Sequence, residues 1–239
     1  RVMAPFAREV GRAARSGGVW VSVDAEALNK NSAALMSAEG EIVDTYAKMH
    51  PVPFAESIPF FENPVVRSFF ENAVGIQLPW VMGTRYTIFR VPLRAGGELA
   101  FGVPICFEDA FSDLCRGFIL RGADMLVNIT NDSWSKTWSA EIQHFAVARL
   151  RAVENRRVLV RSANGGVSAV VDPWGRTQVR LPLFVRTTGL VEVPLYDGGR
   201  WTVYTRFGDW FARLLIGLLL VALVWDLARA RGARRHRGR

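Results

Sequence analysis

The sequence is poor in the residue types that most often carry chemistry. It has two cysteines (Cys106 and Cys115), three histidines (His50, His144 and His236) and three lysines (Lys30, Lys48 and Lys136) in 239 residues. Two cysteines nine positions apart exclude a disulfide framework: along one helix they would sit about 13 Å from each other, beyond disulfide reach. Three scattered histidines exclude an evident metal set; Glu141 and His144 share an i, i+3 spacing but have no further ligands around them, so no metal is expected. There is no glycine-rich phosphate loop, no internal repeat and no low-complexity stretch before the C-terminus, and nothing calls for a cofactor. No signal peptide opens the chain, which starts at Arg1; the expectation is a part of a longer product.

What is present is a large apolar fraction, 50% of residues, enough for one sizeable core with an appendage. The net charge of +8 is concentrated in a short tail. Arg229, Arg231, Arg234, Arg235, Arg237 and Arg239 lie in the last eleven residues, and setting those six aside leaves +2 for everything else. With no basic surface interleaved with aromatics on the body, a nucleic-acid partner is not expected. The tail instead flanks an apolar stretch, residues 207–227, whose section 214–225 carries no charge. Trp210 and Trp225 bracket it as interfacial aromatics do, and Arg213 is long enough to snorkel. The expectation is a transmembrane helix over 207–227 with an arginine-rich cytoplasmic tail over 228–239; the alternative is a buried or amphipathic terminal helix.

Ahead of that stretch, strand and helix patterns alternate. Helical spacing covers 1–15, short apolar strands are expected at 19–23, 33–36, 42–48, 86–91, 99–105, 125–130, 158–162, 167–171, 179–181 and 189–193, and helices at 63–71 and 139–155. Three prolines in 50–59 order that segment as a loop. In the helix over 139–155 the apolar face is expected to hold Ile142, Phe145, Ala146 and Val153, with Arg149 buried among them and ion-paired. Strands mixed with crossover helices make an α/β layered domain.

The chain is organised around LAFGVPICFED, residues 99–109. A buried strand runs into Cys106 and two acids, Glu108 and Asp109, and a helical pattern follows through Phe111, Leu114, Cys115, Phe118 and Ile119. A cysteine at a strand-to-helix junction faces the positive end of the helix dipole, which favours the nucleophilic thiolate. The alternative is a small buried hydrophobe, and Cys115 is expected to be one. In a chain with twenty-seven arginines, the few lysines mark places where a compact amine matters. Lys48 ends its strand beside the proline-ordered loop that carries Glu56. An amine near a cysteine stabilises thiolate and oxyanion, and a carboxylate moves protons. Alternatively Lys48 is a solvated strand-end charge and Glu56 a loop salt bridge. His144 is weighed as a partner for Cys106 and expected to be structural.

Four segments taken together resemble one family: YAKMHPVPFAE (46–56), GVPICFED (102–109), NITNDSWSK (128–136) and QHFAVARLRAVENRRVLVRSANGGVSAVVDPWG (143–175). They resemble the nitrilase (carbon-nitrogen hydrolase) superfamily and look most like its membrane branch, the apolipoprotein N-acyltransferases, over about 19–193. The resemblance implies a nitrilase-like αββα sandwich over 1–200, lacking its first strand and helix region, then one C-terminal transmembrane helix. It implies Cys106 as nucleophile, Lys48 as triad lysine, Glu56 as auxiliary loop glutamate, and Phe107, Glu108 and Trp134 as substrate-binding residues. It further implies a phospholipid acyl donor, a diacylated lipoprotein acceptor and an upstream transmembrane region of the same protein. The implied location is the bacterial inner membrane, with the catalytic domain periplasmic and the C-terminus cytoplasmic. The family's general-base glutamate lies in an upstream Pro-Glu motif that this sequence does not contain before Lys48, so the chain is expected to be inactive alone. Phe107 stands where the family commonly has tyrosine, and Pro51, Ala55 and Ser57 replace the usual leucine, glycine and tyrosine. The same cysteine and lysine also suit a membrane-anchored amide hydrolase, and a non-catalytic tethered domain is the third possibility.

Overall fold

The computed structural model describes residues 19–24, 30–52, 56, 60, 63–70, 72, 81–93, 96–133, 135–195 and 201–237. The helix expected over 1–15 lies outside them.

Two sheets form the body. The first is antiparallel, in the order β1 (Val19–Asp24), β2 (Lys30–Met36), β3 (Ile42–Ala47). The second has six strands in sequence order: β4 (Ile88–Pro92), β5 (Glu98–Gly102), β6 (Met125–Asn131), β7 (Val158–Asn164), β8 (Ala169–Val171) and β9 (Thr177–Arg180). The pairs β5–β6 and β6–β7 are parallel and the others antiparallel. Parallel neighbours need a crossover. After α1 (Pro64–Phe69), the crossovers are α2 (Ser112–Leu120) between β5 and β6, and α3 (Trp138–Asn155) between β6 and β7. This is the nitrilase-like α/β architecture.

Both sheets contribute to one core. Ala33, Leu35 and Tyr46 of the small sheet pack in the same buried cluster as Phe89, Phe101, Leu126 and Leu159 of the large one. Helix α2 buries Leu114, Cys115, Phe118 and Ile119, with the Phe118 ring edge-on to Tyr46 at 5.2 Å. A methyl at Gly102 would sit 2.5 Å from Phe118, so glycine there lets α2 close onto β5.

The long crossover differs from expectation in phase. Helix α3 buries Glu141, Phe145, Ala148, Arg151, Ala152 and Asn155, while Ile142, Ala146 and Arg149 are exposed. Its buried arginine is Arg151, which donates to Ala110 O at 2.8 Å and Glu154 Oε1 at 2.6 Å. Residues 189–193, expected as a strand, are not one here. Val191 and Val193 pack partly against the core, and no strand pairing includes them.

Beyond the sheets, α4 (Val203–Phe207) is tied to both crossovers. Arg116 Nε donates to Thr205 O at 2.7 Å, and Thr205 Oγ1 donates to Asn155 Oδ1 at 2.9 Å. The chain then turns at Gly208, whose φ of +62° suits glycine, into α5 (Trp210–Arg237). Its 28 residues extend about 42 Å. The window Trp210–Leu227 has a mean hydropathy of 2.0 and none of it is buried, so α5 is long and apolar enough to cross a membrane.

Candidate active site

Strands β5 and β6 are parallel, and their carboxyl ends open on the same edge, where α/β sheets bind ligands. Residues 103–105 continue from β5, and Ile105 makes a last parallel bridge to Ile129. At Cys106 the backbone takes φ +53° and enters a 3-10 turn, Cys106–Ala110. A positive φ is uncommon for a residue with a Cβ and marks a conformation held in place by its surroundings. Helix α2 begins only at Ser112, so Cys106 is not in the first turn of an α-helix, and the expected dipole effect gives way to this constrained turn.

Asn128 of β6 holds the turn. It is fully buried, and its Nδ2 donates to Pro104 O at 3.0 Å and Cys106 O at 2.9 Å. One side chain of β6 thus grips the backbone on both sides of Ile105.

Cys106 is half-buried and faces a cavity of about 680 Å³. Val52, Ile105, Phe107 and Ile129 give the wall an apolar side; Asn31, Glu56, Thr130, Asn131, Asp132 and His144 supply polar groups. Lys48 is 1% exposed, and its Nζ donates to Glu56 Oε2 at 2.5 Å. Val52 N–H donates to the same oxygen at 2.8 Å, closing the Lys48–Glu56 loop on itself. A buried amine with one carboxylate partner is a paired charge rather than a solvated strand end.

Of the residues expected at the site, Cys106, Phe107 and Glu56 therefore line one cavity, and Lys48 joins it through Glu56. Trp134 lies outside the described residues. Glu108, expected to bind substrate, is completely buried and absent from the cavity wall. Its Oε1 accepts from Met49 N–H at 2.7 Å, His50 N–H at 2.9 Å and the Tyr46 hydroxyl at 3.0 Å; Oε2 accepts from Ile105 N–H at 2.7 Å. Burial pushes its carboxyl up, against the pull of those backbone donors and Tyr46. Glu108 is a strap binding the segment after Lys48 to the segment before Cys106.

A second cluster reaches the same cavity through Asp132 and His144. His144 of α3 places Nε2 2.8 Å from Asp109 Oδ1 and Nδ1 3.1 Å from Asp132 Oδ1. Arg161 of β7, buried at 2% exposure, donates through Nε to Asp109 Oδ2 at 3.1 Å and through Nη2 to Asp132 Oδ2 at 2.9 Å. Thr130 adds a donor to Asp132 Oδ1 at 2.7 Å. A methyl at Gly166 would lie 2.3 Å from Asp132 Oδ2, so glycine is what admits that carboxylate. Burial tends to raise the Asp132 carboxyl, but His144 and Arg161 outweigh it and hold it near 2. With both ring nitrogens committed to carboxylates, His144 is not a base for Cys106. The sequence does signal this cluster: an arginine inside the apolar strand VLVRSAN needs buried carboxylates.

No group of three or more metal-ligating side chains occurs among the described residues.

With this geometry in view, the comparisons with known proteins fall into place. A model of the carbon-nitrogen hydrolase family matches residues 4–202. The chain belongs to that family. Among the relatives of this carbon-nitrogen hydrolase chain, "Apolipoprotein N-acyltransferase 2" of Treponema denticola is 47% identical over 204 residues, covering 85% of this chain and 39% of that protein. The protein of the same description from Treponema pallidum is 41% identical over 86% of this chain and 36% of its own length. "Apolipoprotein N-acyltransferase" of Borreliella burgdorferi is 37% identical over 81% and 36%. The chain spans about two fifths or less of these relatives. Solved structures agree on the fold. A carbon-nitrogen hydrolase from Helicobacter pylori G27 has a TM-score of 0.53 at 17% identity, covering 74% of this chain and 61% of that one. An amidase from Nesterenkonia sp. has 0.51 at 18%, covering 75% and 62%.

Proposed function

We propose that this carbon-nitrogen hydrolase chain is the catalytic part of an enzyme that transfers a fatty acyl chain from a phospholipid, through a thioester on Cys106, to the N-terminal amine of a diacylglyceryl-cysteine lipoprotein. The observation that carries the reading is the junction of Cys106, on its constrained turn, with the Lys48–Glu56 pair around one largely apolar cavity. The names of the relatives at 37–47% identity supply the acyl acceptor class.

In the first step Cys106 Sγ attacks the ester carbonyl. The carbonyl–oxygen bond to glycerol breaks, the thiol proton leaves with the glycerol hydroxyl, and a thioester and a lysophospholipid result. In the second step the lipoprotein amine attacks the thioester. The carbon–sulfur bond breaks, an amide forms, and an amine proton returns to the sulfur. The Lys48 ammonium is the group that offsets negative charge developing on sulfur and on the carbonyl oxygen. Glu56 orients that ammonium and pairs with its charge between steps. Apolar lining at Val52, Ile105, Phe107 and Ile129 suits an acyl chain. The upstream transmembrane region holds the lipid, and the family's general-base glutamate belongs to the first strand and helix region of the nitrilase-like domain. Helix α5 spans the inner membrane, with 1–200 on the periplasmic side and the arginine-rich 228–239 in the cytoplasm.

The test is the intact mass of the complete gene product after incubation with a dipalmitoyl phospholipid in detergent. A palmitoyl mass gain that disappears in Cys106→Ala supports the reading. Turnover of simple amides without a mass gain would replace it with a membrane-anchored hydrolase, and neither activity would leave a tethered domain.

A further inference from the structure

Adjacent residues of the nucleophile's turn send their carboxylates to different places, and the one from Asp109 has no part in the chemistry just described. It ends in the charged cluster whose His144 and Asp132 line the cavity. Asp109 belongs to the 3-10 turn that Cys106 opens, Asp132 follows β6, Arg161 lies in β7 and His144 in α3. Four elements therefore meet in one set of contacts, all between 2.8 and 3.1 Å. With Asp109 and Asp132 ionised, Arg161 balances one negative charge and only a cationic His144 balances the other. Both imidazolium nitrogens are donors, and each has a carboxylate oxygen before it. Arg161 Nη2 also lies 2.8 Å from His144 Nδ1, a like-charge contact that the shared Asp132 offsets. His144 and Asp132 both line the cavity, and the Phe107 ring beside the nucleophile lies 5.3 Å from the imidazole.

We infer that His144 is a positioning residue for acyl transfer at Cys106: as a cation it completes a neutral cluster with Asp109, Asp132 and Arg161 that fixes the nucleophile's turn from behind and the cavity wall beside it. The inference rests on Cys106 being the nucleophile and deepens that reading. Removing the cation leaves a buried carboxylate unbalanced, and the strain falls on Asp109, three residues from the reacting sulfur. Burial works to lower the histidine's proton affinity, but the two aspartates more than reverse it, so that His144 titrates at about 9 and is charged at neutral pH.

The experiment compares the complete gene product in detergent with His144→Gln and with the charge-balanced double variant His144→Gln/Asp132→Asn. Two rates are read: thioester formation with dipalmitoyl phospholipid, and alkylation of Cys106 by iodoacetamide, which needs no lipid. His144→Gln is expected to lower kcat for acylation by about 100-fold with KM within about two-fold, as for a misplaced rather than a missing group. The double variant is expected to recover at least about tenfold, because it restores neutrality without restoring the imidazole. Alkylation is expected to follow the same order. A single variant as active as wild type, or a double variant no better than the single, would overturn the inference. A wild-type protein inert to phospholipid but with the same order of alkylation rates would overturn the proposed donor and still support the role of His144. Should His144→Gln fail to fold, the wild-type profile decides. Alkylation that falls above about pH 9 with unchanged circular dichroism supports the inference; a rate that keeps rising with the thiolate fraction overturns it.

Discussion

Glu108 and Asp109 are neighbours on one 3-10 turn, both buried, yet they are held by opposite kinds of partner. Glu108 accepts only from neutral donors, three backbone N–H groups and one phenol. Asp109 faces an arginine and a histidine. The first arrangement ties two loops together without a charged partner, so only the Glu108 carboxyl, which burial pushes up, makes it depend on pH; burial drives the Tyr46 hydroxyl far above its usual range, and Glu108 itself also raises it. The second is stronger per contact but depends on a proton. Cys106, the proposed nucleophile, thus sits between a clamp made of shape and a clamp made of charge.

The sharpest way to break this contrast is on the Glu108 side. Glu108→Ala leaves the N–H groups of Met49, His50 and Ile105 and the Tyr46 hydroxyl buried without acceptors. The expected loss is about 3–5 kcal/mol of stability by urea or thermal unfolding at pH 7. A loss below about 1 kcal/mol would mean that Glu108 does not strap the two segments together.

The other side is broken by pH itself. A histidine held at about 9 in the folded protein and near 6.5 when unfolded has a raised folded value. Its contribution is therefore fully present below pH 6.5 and is lost as pH rises through 9. The amount is on the order of 3 kcal/mol, at the lower end of the Glu108→Ala range. It is checked by denaturant midpoints between pH 6 and 10, with His144→Gln expected to remove most of the slope. Equal slopes in both proteins would place the titrating group elsewhere.

How much of this could be read from the sequence depends on the range over which each feature is decided. Cys106, its strand and the acids behind it are local, and the alternation of residues 99–105 exposes them. Lys48 and Glu56 are eight residues apart, and scarcity of lysine pointed to the first. The role of Glu108 was missed because its partners, Tyr46, Met49 and His50, come from 58 to 62 positions away. No pattern within residues 102–109 distinguishes an acid that faces the cavity from one that turns its back on it. His144 was expected to be structural, and what that expectation lacked was its two aspartates, 35 and 12 positions distant. The phase of α3 failed for a physical reason as well. Its buried face contains Glu141, Arg151 and Asn155, so apolar spacing alone selected Ile142 and Ala146, which are exposed.

That misplaced phase yields the smallest expected effect and a control for the others. Arg149, expected to be buried, is exposed and gives Nε and Nη2 to the Gly175 carbonyl at 3.2 and 2.9 Å. Its carbonyl partner belongs to a buried glycine in the turn between β8 and β9, which the exposed Arg149 guanidinium caps from the solvent side. Arg149→Ala is therefore expected to change stability by about 1 kcal/mol, the value of an ordinary hydrogen bond. Arg151, two positions on, donates to Ala110 O at the end of the 3-10 turn that Cys106 opens. There a truncation orphans a carbonyl and removes the buried partner of Glu154, and the loss should exceed that at Arg149 several-fold by thermal unfolding. If the two variants behaved alike, α3 would be turned relative to the sheet, and Asp109 and His144 could not meet.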